Sequence, residues 1–174
     1  MSMFDTVAGL PVHALVIHAA VVLLPLMAGV TLAFTIRPKW RPGLPWAILG
    51  NLVAFGTAFV AKESGEKLQA RLSAQAGQAV AARHGELGAS LPYFAIGLLV
   101  ASVLAWLLVG RTSSSPSSDS HRADAPRGAS AVATALAVVL VLGAGAATVA
   151  WTYRVGDSGA KAVWEDTIAN TKAP

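Results

Sequence analysis

The side chains best suited to metal or proton chemistry in this chain are its histidines. Three of the four, His13, His18 and His84, lie in or beside apolar stretches, and the chain contains no cysteine. Without cysteine there are no disulfides, no thiolate metal sites and no covalent haem attachment through C-x-x-C-H. Any metal or redox centre must therefore be held by imidazoles and oxygen ligands.

Two kinds of centre fit these residues. A divalent metal with nitrogen and oxygen ligands would use His13, His84, Glu66 and Asp157. A b-type haem held by histidines of two helices would use His18 with His84, or His13 with His84. The alternatives are that the carboxylates are water-facing residues at helix ends and that His18 is a neutral imidazole bonded to a neighbouring helix. Both alternatives remain open at the level of sequence.

The elements that position these residues are membrane-spanning helices. Hydrophobic residues make up 55% of the 174-residue chain and charged residues only 13%, against about 25% charged in soluble domains. Four long stretches lack Asp, Glu, Lys and Arg, and each can cross a hydrocarbon core of about 30 Å. We therefore predict an all-α, integral membrane four-helix bundle in a single domain, with helices over residues 10–36, 44–61, 91–110 and 129–151.

The connections between these helices differ in character. Residues 62–90 are rich in Ala and Gln with spaced Leu and Val, which predicts that the second helix continues and is followed by an amphipathic exoplasmic helix. Residues 111–128 read RTSSSPSSDSHRADAPRG, a composition typical of a disordered linker, here placed on the cytoplasmic side.

The positive charges predict the orientation. The compact turn after the first helix holds Arg37, Lys39 and Arg41, so the positive-inside rule places it in the cytoplasm and both termini outside. No Lys or Arg precedes the first apolar stretch, so we expect an uncleaved helix and not a signal peptide. The net charge of +4 is thus explained by topology, and we expect no nucleic-acid partner.

Several motifs together resemble the bacterial membrane family called domain of unknown function 2231. They are G-L-P-V-H at 9–13, V-I-H at 16–18, S-G-E at 64–66, H-G-E-L-G at 84–88 and G-D-S-G-A-K-A-V-W at 156–164. The resemblance implies a four-helix protein of a bacterial plasma membrane. Relatives joined to Rieske-type or cytochrome c modules imply an electron-transfer setting, with ligand roles carried over to His13, His18 and His84. The family's prolines after the histidines are Ala14 and Ala20 here, and Asp157 replaces a family histidine.

Three functions follow as hypotheses. The first is a histidine-ligated electron-transfer or accessory subunit, binding haem b or a divalent metal and contacting other membrane or respiratory-chain subunits or itself. The second is a structural or assembly subunit without a cofactor, and the third is a small transporter of ions or protons with His18 in its path. The chain lacks G-x-S-x-G, H-E-x-x-H, P-loop and Rossmann motifs, and we expect no enzyme activity of its own.

Overall fold

The chain folds almost wholly into helices. The computed structural model describes residues 6–7, 10–72, 78–110 and 127–171. The elements are β1 (Thr6–Val7), β2 (Leu10–Pro11), α1 (Val12–Ile36), α2 (Leu44–Leu72), α3 (Gln78–Ala89), α4 (Leu91–Ala105) and α5 (Arg127–Asn170), with a 3-10 turn at Pro38–Gly43 and a π-helical turn at Trp106–Gly110. Most of the predicted linker, residues 111–126, lies outside the described residues; residues 127 and 128 already belong to α5.

The predicted all-α membrane bundle is confirmed. In the described part of the chain, four helical segments are long and apolar enough to cross a bilayer: Val12–Ile36, Pro38–Ala70, Ala82–Gly110 and Ala131–Lys161. The exception to the helical pattern is the antiparallel pair of β1 and β2, in which Thr6 pairs with Pro11. Since Leu10 and Pro11 belong to this pair, α1 begins at Val12 and not at residue 10.

Helices α2 and α5 extend well past the predicted spans. The spans are predicted to end at residues 61 and 151, but the helices end at Leu72 and Asn170. The continuation of α2 beyond its span is predicted from the sequence and is confirmed, whereas that of α5 is not predicted. A charged residue ends a membrane-embedded segment without ending a helix, and no proline stands in either extension. The helical segment predicted between the second and third spans is present as α3.

The four long helices are arranged so that α1 packs against α2 and α5, and α4 packs against the same two helices. Helices α1 and α4 therefore lie diagonally opposite each other. Both begin at the end of the bundle where α2 and α5 finish. This end, which carries His13, Ala61, His84 and Val155, is called the histidine end below.

Small and hydroxyl side chains fill much of the interior together with Leu24, Leu44 and Leu98, while many other large apolar side chains face outward. Leu26, Trp46 and Val139 are among the exposed residues, as expected for surfaces that contact lipid. At the centre, Asn51 Nδ2 donates to Thr31 Oγ1 at 2.9 Å and so links α2 to α1. Asn51, a polar residue within the second predicted span, thus bridges two helices. Small residues allow the helix backbones to approach closely, which is how membrane helices gain packing energy.

The two halves of the bundle repeat one another. For four buried residues of α1, adding 71 to the residue number gives a buried residue of α4: Ala20, Leu24, Met27 and Thr31 correspond to Leu91, Ala95, Leu98 and Ser102. Adding 94 relates α2 to α5 in the same way: Ala47, Asn51, Ala54, Ala58, Ala61 and Ser64 correspond to Val141, Gly145, Thr148, Thr152, Val155 and Ser158. Together with the diagonal arrangement, this periodicity defines a pseudo-twofold axis that runs along the bundle.

Candidate functional site at the histidine end

His13 is fixed against α2 by its ring. It lies in the first turn of α1, directly after β2, and its Nδ1 donates to the backbone oxygen of Ala61 at 2.9 Å. The ring lies on Gly65, where a Cβ would come within 2.9 Å of the His13 Cε1. Because real Cβ atoms essentially never come that close, glycine is needed for this contact. Ser64 beside it is buried and donates to the backbone oxygen of Val60 at 2.7 Å.

His84 is fixed against α5 in the same manner. It belongs to α3, and its Nδ1 lies 3.2 Å from the Val155 backbone oxygen and 3.0 Å from Ser158 Oγ. The Ser158 hydroxyl donates to the Val155 oxygen at 2.8 Å, so its oxygen is free to accept from the histidine. A Cβ on Gly159 would come within 2.9 Å of the His84 Cε1. The imidazole of His84 therefore lies against Gly159 and bonds Ser158, as that of His13 lies against Gly65.

The two histidines and the Ser-Gly pairs beside them occupy equivalent positions of the internal repeat. Residues 64 and 65 plus 94 give 158 and 159, and residue 13 plus 71 gives 84. The sequence carries this signal as Glu-Ser-Gly-Glu-Lys at 63–67 and Asp-Ser-Gly-Ala-Lys at 157–161. The sequence prediction does not include the contacts of Gly65 with His13 or of Ser158 and Gly159 with His84, although alignment of these two segments contains the signal.

The pseudo-twofold arrangement brings the two imidazoles into contact. The ring centroids of His13 and His84 are 6.3 Å apart, with an angle of 75° between the ring planes. In each ring Nδ1 faces a backbone carbonyl, which can only accept, so Nδ1 carries the hydrogen. In the neutral ring Nε2 then keeps its lone pair. The site thus presents two oriented imidazoles, from two halves of the chain, each with Nε2 available as a ligand.

The two carboxylates predicted as further metal ligands form ion pairs with lysines. Glu66 forms an ion pair with Lys62 at 2.8 Å, and Asp157 forms one with Lys161 at 2.9 Å. Across residues 6–7, 10–72, 78–110 and 127–171, no three His, Asp or Glu residues are grouped as a metal site. Of the predicted set His13, His84, Glu66 and Asp157, the structure brings the two histidines together.

His18 faces away from the bundle. Its ring is exposed on the outer surface of α1, and its Nδ1 contacts the Ala14 backbone oxygen of its own helix at 2.5 Å. The sequence alternative in which His18 bonds to a neighbouring helix is therefore wrong, and the predicted pairing of His18 with His84 has no support in this geometry. The physical reason is rotational: α1 is apolar on all sides, so its sequence does not specify which face turns inward.

The fold and the site define a class: an integral membrane protein of four helices, with a histidine from each half meeting at one end of the bundle. The family model described as "Predicted membrane protein (DUF2231)" matches residues 9–172, and the chain belongs to this family. The resemblance drawn from the sequence motifs is thereby confirmed. Comparison with curated proteins gives no match, and comparison with solved structures gives none either.

Proposed function

We propose that His13 and His84 together hold a transition-metal ion and that the protein serves as an electron-transfer or accessory subunit in its membrane. The observation that carries this proposal is the pair of contacting imidazoles whose Nδ1 atoms are both bound to backbone carbonyls. Metal-ligating histidines characteristically donate their second nitrogen to such a partner, which orients the ring and fixes the tautomer. Neutral imidazoles suit zinc, copper, iron and nickel.

The spacing of the rings is compatible with a shared ion. Two imidazoles that bind one ion at about 2.0–2.1 Å through nitrogen have centroids no farther apart than about 6.4 Å. The separation of 6.3 Å lies just inside this limit, so a shared ion would lie almost on the line between the two rings, with both Nε2 atoms turned toward it. An ion with two protein ligands keeps further positions open, and these would be filled by water, by a partner subunit or by a second copy of this chain.

Haem b is the alternative occupant of the same pair. Two axial imidazoles on one iron have a similar centroid separation, so the 6.3 Å distance fits haem as well. A porphyrin, however, would have to fit between two rings that are each held by a backbone carbonyl and lie against Gly65 and Gly159. A bare ion needs no such opening, and we therefore favour the ion.

The proposed setting is the exoplasmic side of a bacterial plasma membrane. Arg37, Lys39 and Arg41 lie in and beside the 3-10 turn at the opposite end of the bundle. Positive residues in a short connection favour the cytoplasmic side, so the histidine end and both termini face outward. An exoplasmic metal would be accessible to soluble redox partners or to neighbouring respiratory subunits.

Metal titration of the purified protein tests the proposal. We expect about one Cu or Zn per chain in the wild type, loss of binding in His13→Ala and in His84→Ala, and wild-type binding in His18→Ala. The last variant is a matched control because it removes an exposed imidazole from the same helix as His13. Equal metal content in all four proteins would refute the site. Soret and α bands in the reduced spectrum that require both His13 and His84 would assign haem in place of the ion.

A structural role is the second candidate, favoured by the hydrogen bonds themselves. His13 joins α1 to α2, and His84 joins α3 to α5, so each ring ties two elements together without any cofactor. In that case His13→Ala and His84→Ala would lower the free energy of unfolding, and the wild type and both variants would all fail to bind metal. Transport through His18 is not proposed, because the ring lies on the outer surface.

A further inference from the structure

An open groove lies between α1 and α5 on the outside of the bundle. Its volume is about 770 Å³, within the range of ligand-binding pockets, and apolar side chains and glycines line nearly all of it. Gly29 of α1 and Gly145 and Ala146 of α5 form part of its floor, and Tyr153 and Arg154 lie at one end. That end is nearest the histidine end, because Val155 follows directly on α5.

The internal repeat provides a reference for this groove. Three of the equivalent positions between α2 and α4 carry larger side chains: Val100 corresponds to Gly29, Asn51 to Gly145 and Leu52 to Ala146. At these three positions the groove between α1 and α5 is therefore lined by smaller residues than the equivalent side.

The end of the groove differs from its equivalent in polarity as well. Tyr153 and Arg154 occupy the positions that Phe59 and Val60 hold in the other half. The Arg154 guanidinium lies 5.5 Å from the ring centroid of Trp151 and, among the described residues, is paired with no carboxylate. A cation and a phenol therefore lie at this end of the groove, where the other half has two apolar residues.

We propose that the groove binds one anionic phospholipid, with an acyl chain between α1 and α5 and the headgroup phosphate at Arg154. Residues 141–154 of α5 line the groove, a rise of about 20 Å at 1.5 Å per residue. One leaflet of hydrocarbon is about 15 Å thick, so an acyl chain beside this segment places its headgroup at the level of Arg154. Arginine binds phosphate with several donors, and Tyr153 adds a hydroxyl.

Native mass spectrometry of the intact protein, titrated with phosphatidylglycerol or phosphatidylcholine, tests this site. We expect one phosphatidylglycerol per chain to bind about fivefold more tightly than phosphatidylcholine, the preference of one cation near an anionic headgroup. Arg154→Gln should abolish the preference. Gly29→Val, which introduces the side chain of the equivalent position, should weaken both lipids at least tenfold.

Gly97→Val is the matched control for the groove variant. Gly97 is exposed on α4 outside the groove, and neither Gly29 nor Gly97 has an atom within 4 Å of a Cβ placed on it, so both variants are expected to fold. Equal lipid loss in Gly29→Val and Gly97→Val would overturn the site. So would equal affinity for the two lipids in the wild type, or a dimer that Gly29→Val converts to monomer, since a second copy would then be the occupant.

Discussion

Replacing Gly159 by alanine tests whether the Ser-Gly step holds His84 in place. The new Cβ would lie 2.9 Å from the His84 Cε1, so the ring must shift away from α5. That shift weakens the hydrogen bonds of Nδ1 to the Val155 oxygen at 3.2 Å and to Ser158 Oγ at 3.0 Å. One Nδ1–H is shared between these two acceptors, and leaving that donor without a partner costs about 1–3 kcal/mol.

Part of this loss is offset, because alanine favours a helix over glycine by about 1 kcal/mol. The expected net effect of Gly159→Ala is therefore a loss of about 0–2 kcal/mol in the free energy of unfolding. Gly156→Ala is the matched control, one turn earlier in α5, where a Cβ would meet nothing within 4 Å. It should be neutral or stabilising by up to about 1 kcal/mol, which leaves the two variants about 1–3 kcal/mol apart.

The assay is reversible unfolding of both variants in mixed micelles, combined with titration by copper or zinc and ¹⁵N NMR of the histidine rings. Loss of an orienting partner typically weakens metal binding 10–100-fold, so Gly159→Ala should bind metal that much more weakly than Gly156→Ala. The Nδ1–H signal of His84 should move in the first variant only. If the two proteins agree in stability within about 0.5 kcal/mol and share one metal affinity, the reasoning about this site is refuted.

Three further outcomes are expected. Asn51→Leu should stay within about 1 kcal/mol of the wild-type stability, because Asn51 Oδ1 has no partner among the described residues and interhelical hydrogen bonds in membranes average about 0.6 kcal/mol; a loss above about 2 kcal/mol in thermal unfolding would contradict this. Trp151→Phe should cost about 1 kcal/mol, since it keeps an aromatic ring beside Phe94 but removes the 3.1 Å bond from Nε1 to the Leu87 oxygen; an unchanged melting temperature would argue against that bond. In the naturally cysteine-free chain, an impermeant maleimide should label Ala160→Cys in intact cells and Lys39→Cys only after permeabilisation, and the reverse pattern would invert the proposed topology.

The sequence predicts the spans well because the bilayer imposes a simple rule. A stretch without charges must be long enough to cross the hydrocarbon, and the few charged residues mark its ends. Asn51 was also predictable, since a polar side chain at that depth must find a partner inside the bundle. The structure confirms both the four spans and the contact of Asn51 with Thr31.

The rotation of each helix could not be predicted in the same way. Helix α1 is apolar all round, so its periodicity does not distinguish the face of Leu24, which is buried, from that of His18, which is exposed. The pairing of His13 with His84 is among the predictions, but the distance between the rings depends on how α3 packs against α5, which is a tertiary contact. The length of α5 was underestimated because a helix can continue through water after it leaves the membrane.

The internal repeat also shows how one helical hairpin is enough to form such a site when two copies pair. A single helical hairpin carrying one histidine and one Ser-Gly step, paired with a copy of itself about a twofold axis, would already bring two identical imidazoles together. In this chain the two halves belong to one polypeptide, so a substitution in one half leaves the sequence of the other unchanged. The histidine end keeps the symmetric arrangement, while the lipid-facing sides differ: one is open beside Gly29, and the other carries Val100 at the equivalent position. The histidine pair thus depends on the likeness of the two halves, while the proposed lipid groove depends on their difference.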